Sequence, residues 1–159
     1  MRGALLISAG VVLLDQIAKW AAVKYLMQHA EIALAPFLSF TLVFNRGAAF
    51  GFLNDAAGWQ NLFFVGVASI ACGVIIYLLW RLERDNRIAA TALALILGGA
   101  AGNLVDRLLH GYVIDFIDVY YRTWHWPAFN VADSAITIGA FLLVFDTLRP
   151  GSGKQRVAS

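Results

Sequence analysis

The sequence predicts an all-α membrane protein with four transmembrane helices, a small outward-facing β-sheet or cradle, and an aromatic interfacial loop. The chain has 159 residues, of which 60% are hydrophobic and 14% are charged. A soluble domain is typically about 45–50% apolar and about 25% charged, and a short chain needs many polar residues to cover its surface. The 12 basic and 10 acidic residues are too few for that task. The composition therefore excludes an ordinary soluble domain, and also a disordered chain, which requires low hydrophobicity.

Four apolar stretches account for the predicted spans. They cover about residues 4–26, 62–80, 88–109 and 131–148, and each approaches the roughly 20 residues that cross a hydrocarbon core. The first stretch resembles a secretory signal, because Arg2 precedes its apolar core. However, Asp15 and Lys19 follow that core without a clean cleavage site, which favours an uncleaved span.

We expect residues 1–159 to form a single domain. Cys72 lies in an apolar stretch, and we expect its side chain to be inert packing.

The basic residues predict the orientation of these spans. Seven of them belong to one side of the predicted topology: Arg2, Arg81, Arg84, Arg87, Arg149, Lys154 and Arg156. The other side carries three, Lys24, Arg46 and Arg122, with Arg107 near a helix end. Because short cytoplasmic loops are enriched in lysine and arginine, both termini are predicted to be cytoplasmic. The longer connections, about residues 27–60 and 110–130, then face outward.

The two outer connections contain more than linker sequence. Residues 37–44 are rich in β-formers and end at Asn45-Arg46-Gly47, a turn signal, which indicates a short strand pair or curled sheet lying on the membrane. The second connection is dense in aromatic side chains: Tyr112, Phe116, Tyr120, Tyr121, Trp124, Trp126 and Phe129. An aromatic belt at the membrane–water interface explains most of these residues.

The polar residues gather in the outer half of the predicted bilayer. Counted inward from Arg87 at about 1.5 Å per residue, Asn103 lies roughly 24 Å across the membrane. The inner half is almost purely apolar, which argues against an ion channel or pump, because an ion pathway needs polar groups through the full thickness. The histidines fall in outer connections, no metallopeptidase motif is present, and Ser134 lacks a partner base. No basic run of nucleic-acid type appears, so the remaining chemistry is that of carboxylates.

Two facing carboxylates could share one proton and activate water without a metal or a cofactor. The candidate pair is Asp115 and Asp133, with Asp106 and Asp118 as competitors. Structural roles remain open for several of these residues. The spacing of Asn130 and Asp133 also fits a capping box, and that of Asp15 and Lys19 an internal ion pair.

Structural roles are also open for Arg107 and for a set of glycines in the third predicted span. Arg107 is adjacent to Asp106, so the two side chains point in different directions on a helix, and Arg107 could contact lipid headgroups or carbonyls. Gly98, Gly99 and Gly102, with the alanines between them, form a small-residue face of the kind that allows close helix packing.

Five motifs together resemble the lipoprotein signal peptidases (signal peptidase II), which are membrane aspartic peptidases of bacteria. They are DQIAK at 15–19, NRGAAFG at 45–51, GGAAGNLVDR at 98–107, VIDFID at 113–118 and FNVADSAI at 129–136. Each is weakly or moderately specific alone, but five in this order on a four-span chain are a strong signal. The resemblance implies that Asp115 and Asp133 form the catalytic dyad. It also places supporting or substrate-binding positions at Asp15, Lys19, Asn45, Gly47, Gly98, Asn103, Asp106, Arg107, Asn130 and Ala132.

The resemblance further implies a substrate, an inhibitor class and a location. The expected substrate is a diacylglyceryl-modified prolipoprotein held in the membrane lipid and cut just before the lipidated cysteine. Asn45 and Arg107 are the expected contacts to its backbone or lipid-linked part, and residues 37–51 the expected cradle. Globomycin-type antibiotics are expected in the same cleft. The enzyme is expected in the bacterial cytoplasmic membrane, with its site toward the outer face, as a monomer without nucleic-acid partners.

Two other classes of function remain as alternatives. A small polytopic ion-binding or transport protein would show ion flux or a cation requirement without peptide hydrolysis. A structural membrane subunit would lose stability and assembly, but no turnover, when its carboxylates are replaced. The apolar inner half weighs against the first, and the number of polar groups within spans weighs against the second.

Overall fold

Four long helices and a small sheet form the part of the chain that the structure describes. The structure is a computed structural model and describes residues 1–29, 31–47, 59–83 and 86–149. Its helices are α1 (Arg2–Leu26), α2 (Trp59–Arg81), α3 (Arg87–His110) and α4 (Val131–Leu148). Its strands are β1 (Glu31–Ala35), β2 (Leu38–Asn45), β3 (Val113–Tyr121) and β4 (Trp124–His125). All four helices are long and apolar enough to cross a membrane, which confirms the predicted spans.

Helix α3 is the central member of the helix bundle. It packs against α1, α2 and α4, and half of its most apolar 18-residue segment is buried, against 22% or less in the other three helices. Large apolar side chains such as Leu6, Phe141 and Leu148 point outward, as expected for helices surrounded by lipid. Cys72 is half-buried and packs against the apolar cluster between α1, α2 and α3, which agrees with an inert packing role.

Glycines set the close approach of α3 to its neighbours. A Cβ atom added at Gly99 would overlap the Ala132 carbonyl oxygen of α4. At Gly98 it would lie 2.8 Å from the Ser8 carbonyl oxygen of α1, and at Gly102 it would lie 2.7 Å from Asp15 Oδ2. The small-residue face predicted from the sequence therefore allows both α1 and α4 to approach α3 closely.

The sheet is antiparallel, with the strand order β1-β2-β3-β4. The predicted strand in the first outer connection is confirmed as β2, which ends where the chain bends at Arg46 and Gly47. β2 forms the expected local strand pair with β1, and it also pairs with β3 from the second connection. Aromatic and β-branched residues suit both a strand and a membrane interface, so composition alone did not identify β3.

Several features named in the sequence lie outside the described residues. These are residues 48–51 of the second motif and of the expected cradle, Arg84, and the chain from residue 150, which includes Lys154 and Arg156.

Candidate active site

Asp115 and Asp133 line the same cavity, which has a volume of about 540 Å³. Asp115 lies in β3, and Asp133 lies in the first turn of α4. The cavity wall consists of Asn45, Gly47, Asn103, Arg107, Val113, Asp115, Trp126, Pro127, Ala128, Phe129, Asp133, Ser134, Thr137 and Ile138. The competing carboxylates, Asp106 and Asp118, are not part of this wall. The fold therefore brings together the pair preferred from the sequence.

Asn130 connects the two carboxylates. Its side-chain Nδ2 donates to Asp115 Oδ1 at 2.7 Å, and its main-chain N–H donates to Asp133 Oδ2 at 3.2 Å. Its Oδ1 accepts from the Asp133 main-chain N–H at 2.9 Å, which completes a capping box at the start of α4. The predicted capping role is thus present, and the same amide also contacts Asp115.

Two further asparagines contact the remaining two oxygens of the pair. Asn45 Nδ2 donates to Asp115 Oδ2 at 3.0 Å, and Asn103 Nδ2 donates to Asp133 Oδ1 at 2.8 Å. The main-chain N–H of Gly47 donates to Asn45 Oδ1 at 3.0 Å, which turns the Asn45 NH2 toward Asp115. Each of the four carboxylate oxygens therefore accepts one hydrogen bond from this set.

A buried ion cluster orients Asn103 from the opposite side. Lys19 Nζ lies 2.7 Å from Asp15 Oδ2, 2.8 Å from Asp106 Oδ2 and 3.0 Å from Asn103 Oδ1. An ammonium group is a donor only, so Lys19 requires the oxygen of the Asn103 amide. The Asn103 NH2 then faces Asp133. This finding confirms the predicted pairing of Asp15 with Lys19 and extends it to α3.

The carboxylates of this cluster also hold the backbone near the site. Asp15 Oδ1 accepts from the Ala132 main-chain N–H at 2.9 Å, one residue before Asp133. Asp106 Oδ2 accepts from the Ile114 main-chain N–H at 3.0 Å, one residue before Asp115. Asp15 and Asp106 therefore position the segments that carry the pair, although neither lines the cavity.

Arg107 stands at the edge of the cavity rather than in the ion cluster. Its guanidinium donates to the carbonyl oxygens of Asn103 and Gly47, both at 3.4 Å, and lies 5.2 Å from the ring centre of Phe64. Asp106 points the other way, as two adjacent helical residues should. Of the predicted support residues, Gly98 and Ala132 are packing positions and do not line the cavity.

Sequence reasoning missed two sets of residues. Gln16 Nε2 donates to Asp106 Oδ1 at 2.8 Å and to the Gly102 carbonyl oxygen at 3.4 Å. Its polar side chain next to Asp15, within an apolar helix, was a usable signal. The wall formed by Trp126, Pro127, Ala128 and Phe129 had no such signal, because these residues suit an interfacial loop equally well.

Burial and the neighbouring carboxylate perturb Asp115. Desolvation, and after it the negative charge of Asp133, raise its pKa to about 6, against the opposing effect of the hydrogen bonds from Asn45 and Asn130. A carboxylic acid with this pKa holds a proton more readily than an ordinary aspartate. Asp133 lies in the first turn of α4, where the helix dipole favours negative charge. The arrangement can supply one acid and one base.

Among the described residues, no group of three or more His, Cys, Asp or Glu side chains is arranged to hold a metal ion. The charged and amide side chains that line the cavity are two carboxylates, two amides and one guanidinium.

Comparisons with known proteins agree with this architecture. The family model of signal peptidase (SPase) II matches residues 7–149. A lipoprotein signal peptidase of Burkholderia mallei (strain SAVP1) is 54% identical over 149 residues, covering 94% of this chain and 89% of its own length. A lipoprotein signal peptidase of Paraburkholderia phymatum is 55% identical over 145 residues, covering 91% and 87%.

Two solved structures are also similar to this chain along most of its length. A bacterial membrane enzyme determined by the in meso method at 2.3 Å resolution superposes with a TM-score of 0.79 and 30% identity, covering 100% of this chain and 94% of its own. A second, determined at 1.9 Å, has the same score and identity and covers 94% and 95%. With a matching family model over most of its length and relatives above 50% identity, the chain belongs to the signal peptidase II family of peptidases.

Proposed function

We propose that this chain is a membrane aspartic endopeptidase that removes the signal peptide from diacylglyceryl-modified prolipoproteins, cutting just before the lipidated cysteine. Asp115 and Asp133 are its catalytic pair. The observation that carries the proposal is the convergence of these two carboxylates, from β3 and α4, on one cavity beside four apolar helices. The names of its relatives, lipoprotein signal peptidases, support the substrate class.

In the proposed mechanism the ionised carboxylate is Asp133 and the protonated one is Asp115. Asp133 takes a proton from a water molecule, and the water oxygen attacks the carbonyl carbon of the scissile peptide bond. Asp115 gives its proton to the carbonyl oxygen, which forms a neutral tetrahedral diol. A proton from Asp133 then passes to the leaving nitrogen as the C–N bond breaks, and the diol returns a proton to Asp115. Both carboxyl groups end in their starting states.

The surrounding amides fit this assignment of roles. The NH2 groups of Asn45, Asn103 and Asn130 donate to the two carboxylates and hold them at the cavity in which water and substrate would bind. Arg107 and Asn45 line the cavity where a substrate main chain or its lipid-linked part would pass. The exposed apolar surface of the helices would keep the enzyme in the membrane. A lipid-anchored substrate would be confined to the same membrane, so the two would meet in two dimensions.

The decisive experiment uses purified protein and a diacylglyceryl-modified prolipoprotein in a gel-shift assay. Asp115→Asn and Asp133→Asn should each abolish the shift, because either change removes the acid or the base. The matched control is Asp146→Asn, a carboxylate that accepts from Asn86 at the other end of α4 and does not line the cavity. Near-normal turnover of Asp115→Asn or Asp133→Asn would remove that residue from the mechanism.

The finer parts of the proposal have their own measurements. Mass spectrometry of the product tests the cleavage position, which should leave the lipidated cysteine at the new N-terminus. A substrate whose cysteine carries no lipid should be cut poorly. A globomycin-type peptide should compete with the substrate for the cavity. Reporter fusions at both termini test their cytoplasmic placement in the bacterial inner membrane, and light scattering in detergent tests the monomer.

A further inference from the structure

One wall of the cavity is joined to β3 by main-chain hydrogen bonds at its two ends. Residues 126–129 leave the two-residue strand β4 and run to the start of α4, and all four line the cavity. At one end the Trp126 N–H donates to the Val119 carbonyl oxygen at 2.8 Å. At the other end the Phe129 N–H donates to the Ile117 carbonyl oxygen at 3.0 Å, and the Phe129 carbonyl oxygen accepts from the N–H groups of Phe116 and Ile117 at 3.1 and 2.9 Å. Between these anchors Pro127 has no N–H to donate. The Phe129 end is thus fixed on β3 directly, whereas the position of the Trp126 end depends on how firmly β4 is held on β3.

A side-chain pair holds β4 at the residue before the wall. His125 Nδ1 donates to Asp118 Oδ2 at 2.8 Å, and the His125 ring stacks on Tyr120 with 5.2 Å between ring centres. The Asp118 side chain is only 10% exposed, whereas the His125 side chain is 54% exposed. The carboxylate is thus a buried group of β3 that His125 covers from the outside. Removing His125 would leave a buried acceptor without this donor, which costs more than the bond itself contributes.

Neither residue can take part in the chemistry directly. Asp118 and His125 do not line the cavity, and Asp118 is three residues beyond Asp115 on the same strand. Strand β3 therefore presents the Asp115 carboxylate to the cavity, whereas its Asp118 carboxylate binds His125 of the neighbouring strand β4. We infer that Asp118 and His125 are a positioning pair, which holds the Trp126–Phe129 wall where a substrate must pack. The consequence for peptide cleavage rests on the proposed function, but the positioning itself does not.

Two variants at one position separate the hydrogen bond from the ring. His125→Phe retains a ring to stack on Tyr120 and loses the donor to Asp118. His125→Asn loses the ring and retains a side-chain nitrogen at the position of Nδ1. If the hydrogen bond positions the wall, His125→Phe should be defective and His125→Asn should be largely rescued.

The first measurement is hydrogen–deuterium exchange of the purified protein, which needs no substrate. His125→Phe should speed exchange in peptides covering residues 124–129 about tenfold, because a lost charge-assisted hydrogen bond changes a local opening equilibrium by that order. Peptides from α1 and α3 should exchange as in the wild type, and His125→Asn should restore slow exchange at the wall. Equal exchange at the wall in His125→Phe and wild type overturns the inference.

The second measurement is the kinetics of cleavage of a diacylglyceryl-modified prolipoprotein. His125→Phe should raise KM about tenfold and change kcat less than twofold, because the dyad and its amides are untouched. A merely destabilising change would lower the active fraction and hence the apparent kcat at constant KM, and that result overturns the inference. If the wild-type protein does not cut this substrate, the proposed function fails, while the exchange experiment still decides the positioning role.

Discussion

The side chain of Asn130 donates a 2.7 Å hydrogen bond to the Asp115 carboxylate, although the two residues belong to different elements of the fold. Asn130 is at the same time the N-cap of α4, because its Oδ1 accepts from the Asp133 N–H. One asparagine thus begins the helix that carries one carboxylate and donates to the other. The cap and the contact with Asp115 can be separated by mutation, because they use different atoms of the amide.

Asn130→Ser should retain the cap and lose the contact with Asp115. Serine is about as good an N-cap as asparagine, so the start of α4 should be retained, while the buried oxygens of Asn103 and Ile114 lose the Asn130 Nδ2 donor, at a cost of about 1–3 kcal/mol. The donor to Asp115 disappears, and kcat should fall about 10-fold to 100-fold, as expected for the loss of one charge-assisted hydrogen bond. Steady-state cleavage assays and thermal melting in detergent measure the two effects.

The matched control for Asn130→Ser is Asn86→Ser. Asn86 is the N-cap of α3, accepts from the Ala89 N–H at 3.0 Å, and donates to Asp146 at 2.9 Å, far from the cavity. It therefore repeats the cap and the carboxylate contact without the site. Equal losses of kcat in the two variants would show that capping alone explains the effect at Asn130.

Asp115 should make the stability of the protein depend on pH. Its pKa is raised from 3.8 to about 6, chiefly by burial, so the folded chain holds this proton more tightly than the unfolded chain. The contribution of this proton to the free energy of unfolding is fully present below pH 3.8 and is lost as the pH rises through about 6. Its size is roughly 3 kcal/mol, because each pKa unit corresponds to about 1.36 kcal/mol. Thermal melting between pH 4 and 7.5 should show a steeper loss in wild type than in Asp115→Asn. Parallel curves would contradict the raised pKa.

The four spans were predictable because twenty apolar residues in a row have few other structural interpretations. The sheet was predictable only in part. Residues 38–45 have the β-forming composition of a strand, but the pairing of β2 with β3 joins segments about 70 residues apart, and no local pattern records such a partner. The aromatic residues of β3 and β4 also fit an interfacial belt, so their interpretation as a loop missed both strands.

The polar residues of the site that lie within apolar helices could be predicted from the sequence. Carboxylates and amides are costly in an apolar helix, so Asp15, Asn103 and Asp133 stand out where they occur. The distribution of these groups also favoured a peptidase over ion transport or a structural subunit, and membership of a peptidase family confirms that choice. Their partners could not be derived, because the contact of Asn103 with Lys19 depends on how α1 and α3 pack.

Lys19→Met should be severely destabilising. The variant leaves Asp15 and Asp106 buried without the ammonium that lies 2.7 and 2.8 Å from them, and breaking a buried ion pair in this way typically costs about 3–5 kcal/mol. Lys24→Met is the control, because Lys24 is exposed and rests on the ring of Trp20, and it should change the stability by less than about 0.5 kcal/mol. Thermal melting of the two purified variants compares them. Similar melting temperatures would show that the buried cluster contributes little to the fold.

Gly99→Ala should separate α3 from α4 and disturb the site without touching a polar group. The new Cβ would overlap the Ala132 carbonyl oxygen and lie 2.7 Å from Ile136 Cγ1, so α4 must shift, at a cost of about 1–3 kcal/mol. Because the shift moves Asp133 away from the Asn103 amide that donates to it at 2.8 Å, kcat should fall together with the melting temperature. Gly73→Ala in α2 meets nothing within 4 Å, and should stabilise the helix slightly, by about 0.5–1 kcal/mol, with normal turnover. A Gly99→Ala enzyme with wild-type kcat would mean that the dyad tolerates movement of α4, and would contradict the close-packed geometry described for the site.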